Sequence, residues 1–211
     1  MKTALVAGAS GLVGSSLVKM LLQERDYETV HILVRKKINL AHQKLHQHVV
    51  DFDNLATTNF DFKMDDAFVT LGTTIAKAGS KSAFYKVDHD YVISFARKAL
   101  SLGATGIFVV SSMGANPASS IFYNKVKGKM EEDMKALGYS RLGIFRPSLL
   151  LGPRTEKRTG EKLASWMMQT LDFVIPAKYK AIHVDKVAGK MIEQALKDEN
   201  GLIILESDKL Q

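Results

Sequence analysis

An α/β fold with a doubly wound, mostly parallel sheet is predicted for this chain by three features of its sequence. Apolar, β-branched runs alternate with helical patterns, as parallel strands joined by crossover helices require. The run "GIFVV" at residues 106–110 is continuous in apolar residues, as a strand buried on both faces should be. A glycine-rich turn joins the first apolar run directly to the first helical pattern.

The elements follow in order. Residues 3–7 read as a first strand and 12–23 as a helix whose Val13, Leu17 and Leu21 share one face. Residues 30–34 form a second strand. A third opens at Val49-Val50 after a His-containing loop, and residues 67–71 make a fourth before Gly72. Residues 85–102 form a helix stopped by Gly103, 106–110 a fifth strand, and 121–137 a helix ending at Gly138. A sixth strand at 142–145 and a late helix at 187–196, with Asp185 near its N-cap, complete the pattern. Residues 152–180 break the rhythm and are expected to form an excursion on the substrate side of a cleft. With 211 residues, 46% of them apolar, the chain suffices for one sizeable core but not two, so residues 1–211 are read as one domain.

The sequence has no cysteine, so disulfides and thiolate metal sites are excluded and a cytoplasmic location is the simplest expectation. The opening strand argues against a signal peptide. No apolar run approaches the ~18 residues of a membrane span, and no membrane partner is expected. The net charge of +7 is spread along the chain, densest at Arg35-Lys36-Lys37. Without a zinc finger, an RNA-recognition signature or a long basic helix, nucleic acid is not an expected partner.

The turn "GASGLVG" sets Gly8, Gly11 and Gly14 as G-x-x-G-x-x-G between strand and amphipathic helix. There, missing Cβ atoms let backbone approach a pyrophosphate, and the helix N-terminus supplies free N–H groups. This predicts an NAD(P)-binding, Rossmann-like fold. After the second strand, where an acidic residue usually meets the ribose of NAD, "HILVRKK" places Arg35. A guanidinium pairs with a 2'-phosphate that a carboxylate would repel, so NADP(H) is expected in preference to NAD(H). Asp51 and Phe52, after the third strand, are candidate adenine contacts.

Tyr123 and Lys127 stand four apart on a predicted helix and share a face. An ammonium there favours the phenolate and eases proton exchange with a substrate oxygen. Ser111 and Ser112 end the fifth strand at the edge where open sheets bind ligands, and a hydroxyl there can orient a carbonyl. Ser112 is the preferred catalytic candidate, with Ser111 close behind.

Taken with "VDF", "LGTT", "YKVDHDYV", "SSMGA", "YNKVKGKMEE" and "FRPSLLLG", these motifs make residues 3–153 resemble an atypical short-chain dehydrogenase/reductase of the Tat-interacting-protein-like branch. The resemblance implies that Ser10, Gly11, Leu12 and Val13 line the phosphates and that Arg35 and Lys36 lie near the adenosine phosphate. It implies that Leu71 and Gly72 face the cofactor ribose and that Ser112, Tyr123 and Lys127 form the catalytic group. Residues 147–150, from Pro147 to Leu150, would pass the nicotinamide amide, and Arg154 is a further candidate contact. Two departures stand out. Asp88 occupies the place where many members carry an Asn used in proton relay, and the large C-terminal lobe of the extended branch is missing.

Other features carry less. His42 and His46 fit one helical face, but no nearby carboxylate or Cys completes a metal site, so no metal is expected. His183 and Asp185 resemble a late signature of extended relatives, and also suit a strand end and helix cap. Trp166, Met167 and Met168 are a candidate substrate wall. The function expected from all this is NADP(H)-dependent oxidoreduction of a small-molecule carbonyl or alcohol. The alternative is an NADPH-binding regulatory or redox-sensing protein whose output is a protein partner.

Overall fold

The computed structural model describes residues 1–152, 179–197 and 199–211. Its strands are β1 (Lys2–Ala7), β2 (Tyr27–Val34), β3 (Leu45–Val49), β4 (Asp66–Val69), β5 (Gly106–Val110), β6 (Arg141–Arg146), β7 (Leu150–Leu151), β8 (Ile182–His183) and β9 (Gly201–Glu206). Seven of them form a sheet in the order β3-β2-β1-β4-β5-β6-β9, while β7 and β8 pair separately. Each neighbouring pair in the large sheet is parallel. Strand order reverses between β1 and β4, so a crevice opens beyond their C-terminal ends.

The helices are α1 (Leu12–Gln23), α2 (Ile75–Ala78), α3 (Lys81–Tyr85), α4 (Tyr91–Ser101), α5 (Phe122–Lys135) and α6 (Val184–Leu196). Strand alternation divides the core in two. Ala4, Val6, Phe68 and Phe108 pack with Leu17 and Leu21 of α1 and Val187 and Met191 of α6. Leu5, Ala67, Ile107 and Ile144 pack on the other face with Phe95 of α4 and Met130 and Met134 of α5. Each such fully buried large side chain contributes about 1.5–3 kcal/mol. Helices thus cover both faces, as the sequence predicts.

The end of the sheet opposite the crevice is locked by one carboxylate. Asp66, fully buried, accepts hydrogen bonds from Tyr27 Oη at 2.6 Å, Arg141 Nη2 at 2.7 Å and Lys2 Nζ at 3.0 Å. These four residues begin β4, β2, β6 and β1. Burial, and then the Asp66 charge, push the Tyr27 phenol upward.

Three elements differ from the sequence reading. The third strand begins at Leu45, not Val49, because the residues read as a loop form an edge strand walled by rings. The His31 ring stacks on Phe62 with centroids 3.7 Å apart, and His31 Nδ1 lies 2.8 Å from His48 Nε2. His46, on β3, and His42, in the preceding loop, therefore share no helical face. The second difference is β9, which extends the sheet beyond β6. The third is the helix read over residues 85–102, which resolves into the end of α3, a π-helical turn at Lys86–Asp90, and α4.

Candidate functional site

The glycine turn is built by close approach. Gly8 adopts φ +92°, and a Cβ there would lie 2.5 Å from the Thr70 carbonyl carbon. At Gly14 a Cβ would lie 2.1 Å from the Gly8 carbonyl oxygen, so the first turn of α1 sits directly on the end of β1. Thr70, just past β4, fastens the two strands through its N–H and hydroxyl, which donate to Ala7 O at 2.9 and 3.0 Å. Gly11 is the N-cap of α1, with no side-chain cap and no acidic residue in the first turn. The leading N–H groups, at Leu12 and Val13, have no carbonyl one turn back within the helix, and Ser10 is exposed beside them. Such a turn fits a pyrophosphate: the backbone is bare, the dipole end is positive, and the first turn of α1 carries no acidic residue.

Arg35, Lys36 and Lys37 leave β2 exposed at the same edge. Their loop is pinned by Gln47 of β3, whose Oε1 accepts from Ile38 N at 2.9 Å and whose Nε2 donates to Ile38 O and Leu40 O. Val50 N–H donates to Val34 O at 2.9 Å and brings Asp51 alongside. Asp51 caps a 3-10 turn, accepting from Asp53 N and Asn54 Nδ2, while Phe52 is buried against Tyr91. Asp51 thus has a local structural duty where the sequence suggests an adenine contact.

The third group gathers beyond β4 and β5. Lys127 Nζ lies 2.8 Å from Asp88 Oδ1, with Asp88 1% and Lys127 3% exposed. Thr73 N–H donates to the other Asp88 oxygen at 2.8 Å. Gly72 lies over the pair: a Cβ there would be 3.4 Å from Asp88 Oδ1 and 3.9 Å from Lys127 Nζ. Burial works against the Lys127 ammonium, but Asp88, then Tyr123 and Glu131, outweigh it and hold the group above the usual lysine range. Tyr123, one turn back on α5, is half-buried with its ring 5.5 Å from Phe84.

The two serines part company. Ser111 Oγ donates to Glu131 Oε1 at 2.5 Å, and that carboxylate is gripped by Arg146 at 3.0 and 2.6 Å. Arg146 also reaches Glu206 at 2.8 Å; these carboxylates, Glu131 foremost, push the guanidinium upward. Ser111 therefore belongs to a structural network that the sequence reading did not foresee. Ser112 Oγ is buried and has no hydrogen-bond partner among the described residues. Its loop returns to α5, where Asn116 N donates to Asn124 O at 3.0 Å and Gly114, at φ +80°, sits against Asn124.

Beyond β6, Pro147 is buried and its carbonyl accepts from Met113 N at 3.0 Å, joining the two strand ends. Leu150 pairs with Ile182. At Gly152 a Cβ would lie 2.9 Å from Val184 and 3.6 Å from Leu12 Cδ2, so this segment returns over the glycine turn. Leu71 is half-buried at the end of β4. Arg154, Trp166, Met167 and Met168, and most of the expected excursion, lie outside the described residues. Asp185 is exposed and accepts from Ser16 Oγ at 2.5 Å, tying α6 to α1, and His183 is the N-cap of α6. Among the described residues no group of three or more His, Asp or Glu is arranged to hold a metal.

Sheet order, glycine turn and crevice define a nucleotide-binding α/β protein of the Rossmann type. Residues 3–113, just over half of the chain, match the family described as semialdehyde dehydrogenase, NAD binding domain. The chain is 34% identical to Protein HTATIP2 of Rattus norvegicus, across 99% of its own length and 87% of that protein. It is 32% identical to the mitochondrial Protein FMP52 of Eremothecium gossypii, across 98% and 95%. The chain therefore belongs to the HTATIP2/FMP52 branch of the atypical short-chain dehydrogenase/reductases, an NAD(P)-binding oxidoreductase family. Two solved structures share the fold at low identity. One is a short chain dehydrogenase family protein from Francisella tularensis (TM-score 0.70, 16% identity, 99% and 98% covered). The other is Bordetella bronchiseptica WbmH in complex with NAD+ (0.73, 15%, 98% and 76%).

The expectation of a cytoplasmic location is overturned by the same relatives. Six fungal FMP52 proteins that match this chain are named as mitochondrial. A chain without cysteine forms no disulfide in any compartment, so its composition is no guide to which one holds it.

Proposed function

We propose that this protein is an NADP(H)-dependent oxidoreductase acting on a carbonyl or alcohol of a small molecule. The observation that carries the reading is the Ser112 hydroxyl, buried just past the end of β5 with no partner among the described residues, in the loop that returns to the helix bearing Tyr123 and Lys127. A buried hydroxyl without a partner costs about 1–3 kcal/mol, which a substrate oxygen would recover. Gly8, Gly11 and Gly14 would cradle the pyrophosphate, with the Leu12 and Val13 amides and Ser10 around it. Arg35 and Lys36 would take the 2'-phosphate, and among the described residues the Arg35 side chain has no carboxylate partner. Asp51, Phe52, Leu71, Gly72, Pro147 and Leu150 would border the rest. The cofactor, when bound, supplies or accepts the hydride. Ser112 orients the substrate oxygen, Tyr123 exchanges its proton, and Lys127 sets the charge around that phenol.

The test is a fluorescence titration with NADPH and NADH, repeated for Arg35→Asp, followed by a screen of carbonyl substrates. NADPH should bind more tightly than NADH, and the variant should lose that preference. Absence of binding in folded protein would sink the reading. Binding without turnover, together with a protein partner indifferent to Tyr123→Phe, would favour a regulatory role instead.

A further inference from the structure

We infer that Asp88 is a positioning residue that governs the charge of the reactive group: its carboxylate neutralises Lys127, so that Tyr123 exchanges its proton at a higher pH than an unpaired lysine would set. The inference rests on the oxidoreductase reading for its consequence in turnover, but its electrostatic part stands alone.

The geometry is direct. The two charges are 2.8 Å apart and almost wholly removed from water, so they form a compact neutral pair instead of a free ammonium. A neutral pair exerts a much weaker field on a third group than a single buried charge does. Asp88 is fixed in register by the π-helical turn Lys86–Asp90 and by the Thr73 N–H on its second oxygen. Turns of this kind recur at functional sites because they re-aim a side chain from a helix. An Asn at this position has one acceptor oxygen, so it could accept from Thr73 N–H or from Lys127 but not from both, and it could not cancel the lysine charge.

The other charged groups packed around this cluster are already engaged. Glu131, one turn beyond Lys127 on α5, is held by Arg146 and Ser111. His89, beside Asp88, contacts Asp90 and Asp133 at 2.8 Å each, and the Tyr85 ring stacks on it. From α3, Phe84 faces Tyr123, while the Lys81 ammonium lies over Phe122. Lys86 pairs with Asp53 on the outer surface. Among the described residues Asp88 is the carboxylate in direct contact with Lys127, and of the charges that favour the ammonium it acts most strongly, ahead of the more distant Glu131.

The experiment measures two midpoints in Asp88→Asn and in the unaltered protein. The first is the pH profile of alcohol oxidation. The second is the tyrosinate absorbance of Tyr123, taken as the difference between each protein and its Tyr123→Phe counterpart, and it needs no turnover. Both should move to lower pH by about one unit, with KM little changed. If no substrate is turned over, the oxidoreductase reading fails while the absorbance midpoint still decides this one. A midpoint that stays in place or moves upward overturns the inference, since loss of a merely structural anchor would let Lys127 drift from the phenol. Should Asp88→Asn not fold, the double variant Asp88→Asn, Lys127→Met leaves no buried charge unpaired. Its absorbance midpoint should fall within about half a unit of the unaltered protein, because the pair it removes is neutral. A larger displacement in the double variant would refute the pairing.

Discussion

Replacing Ser112 and Ser111 separately by Ala should have opposite consequences for stability and activity. Ser112 Oγ is a buried hydroxyl with no partner among the described residues, so its removal discards an unsatisfied group instead of a bond. An orphaned polar group costs about 1–3 kcal/mol, and relief of part of that should leave Ser112→Ala as stable as the parent or up to about 1 kcal/mol more stable. Ser111 Oγ donates to the buried Glu131 carboxylate at 2.5 Å. A hydrogen bond to a charged group is worth about 1.5–3 kcal/mol, and Arg146 retains Glu131 when it is lost, so Ser111→Ala should lose about 2 kcal/mol. In a chain of this length that is a Tm lower by roughly 4–8 °C. Urea unfolding and thermal melts would measure both variants, alongside NADPH-dependent turnover. Turnover should fall about 100-fold or more in Ser112→Ala, as when a single polar group at a reacting oxygen is removed, and far less in Ser111→Ala. The reasoning fails if Ser112→Ala is destabilised as much as Ser111→Ala, or if it keeps full turnover.

Two further outcomes follow from the geometry. Gly14→Ala brings a Cβ to 2.1 Å from the Gly8 carbonyl oxygen, whereas at Gly11 the nearest atom is that same oxygen at 3.2 Å. Gly14→Ala should therefore lose more than about 3 kcal/mol or not fold, while Gly11→Ala should fold, a contrast that purified yield and denaturant midpoints will reveal. Burial, with His48 and His46 adding, lowers His31 to about 4 from an ordinary value of 6.5. The unfolded chain takes up that proton first, so the stability from His31 is fully present above about pH 6.5 and is lost as pH falls towards 4. With about half of the full linkage value lost to water beside the edge strand β3, the protein should lose about 2 kcal/mol over this window. Denaturant midpoints measured across it should fall less in His31→Leu; an equal fall in both would exclude His31 as the source.

Local periodicity carried the parts of this molecule that depend on near neighbours in sequence. Alternating strand faces, the 3.6-residue period of α1 and the four-residue spacing of Tyr123 and Lys127 are all set within a few residues, and so is the glycine turn. The edge strand β3 escaped because His46, Gln47 and His48 are polar by composition, and become a strand only through His31 and Phe62 from other segments. For β9 a signal was present, the apolar run Leu202-Ile203-Ile204-Leu205 after Gly201, a glycine at φ +119° that releases the chain from α6.

The site divides along the same line. Ser111 and Ser112 are identical in composition and adjacent in sequence, so no local rule separates their roles. Strand alternation begins to do so: Ile107 and Val109 face the layer containing α5, and Ser111 continues that series towards Glu131, leaving Ser112 off it. What completes the distinction is a carboxylate 20 residues away. Asp88 shows the same limit more sharply. Its departure from the commoner Asn is visible in the sequence, but its meaning depends on Lys127 lying 2.8 Å away and on the loss of water from both groups. A charged residue in place of a neutral one reads as a defect in a relay when seen alone, and as the counter-charge of the lysine once the fold brings the two together.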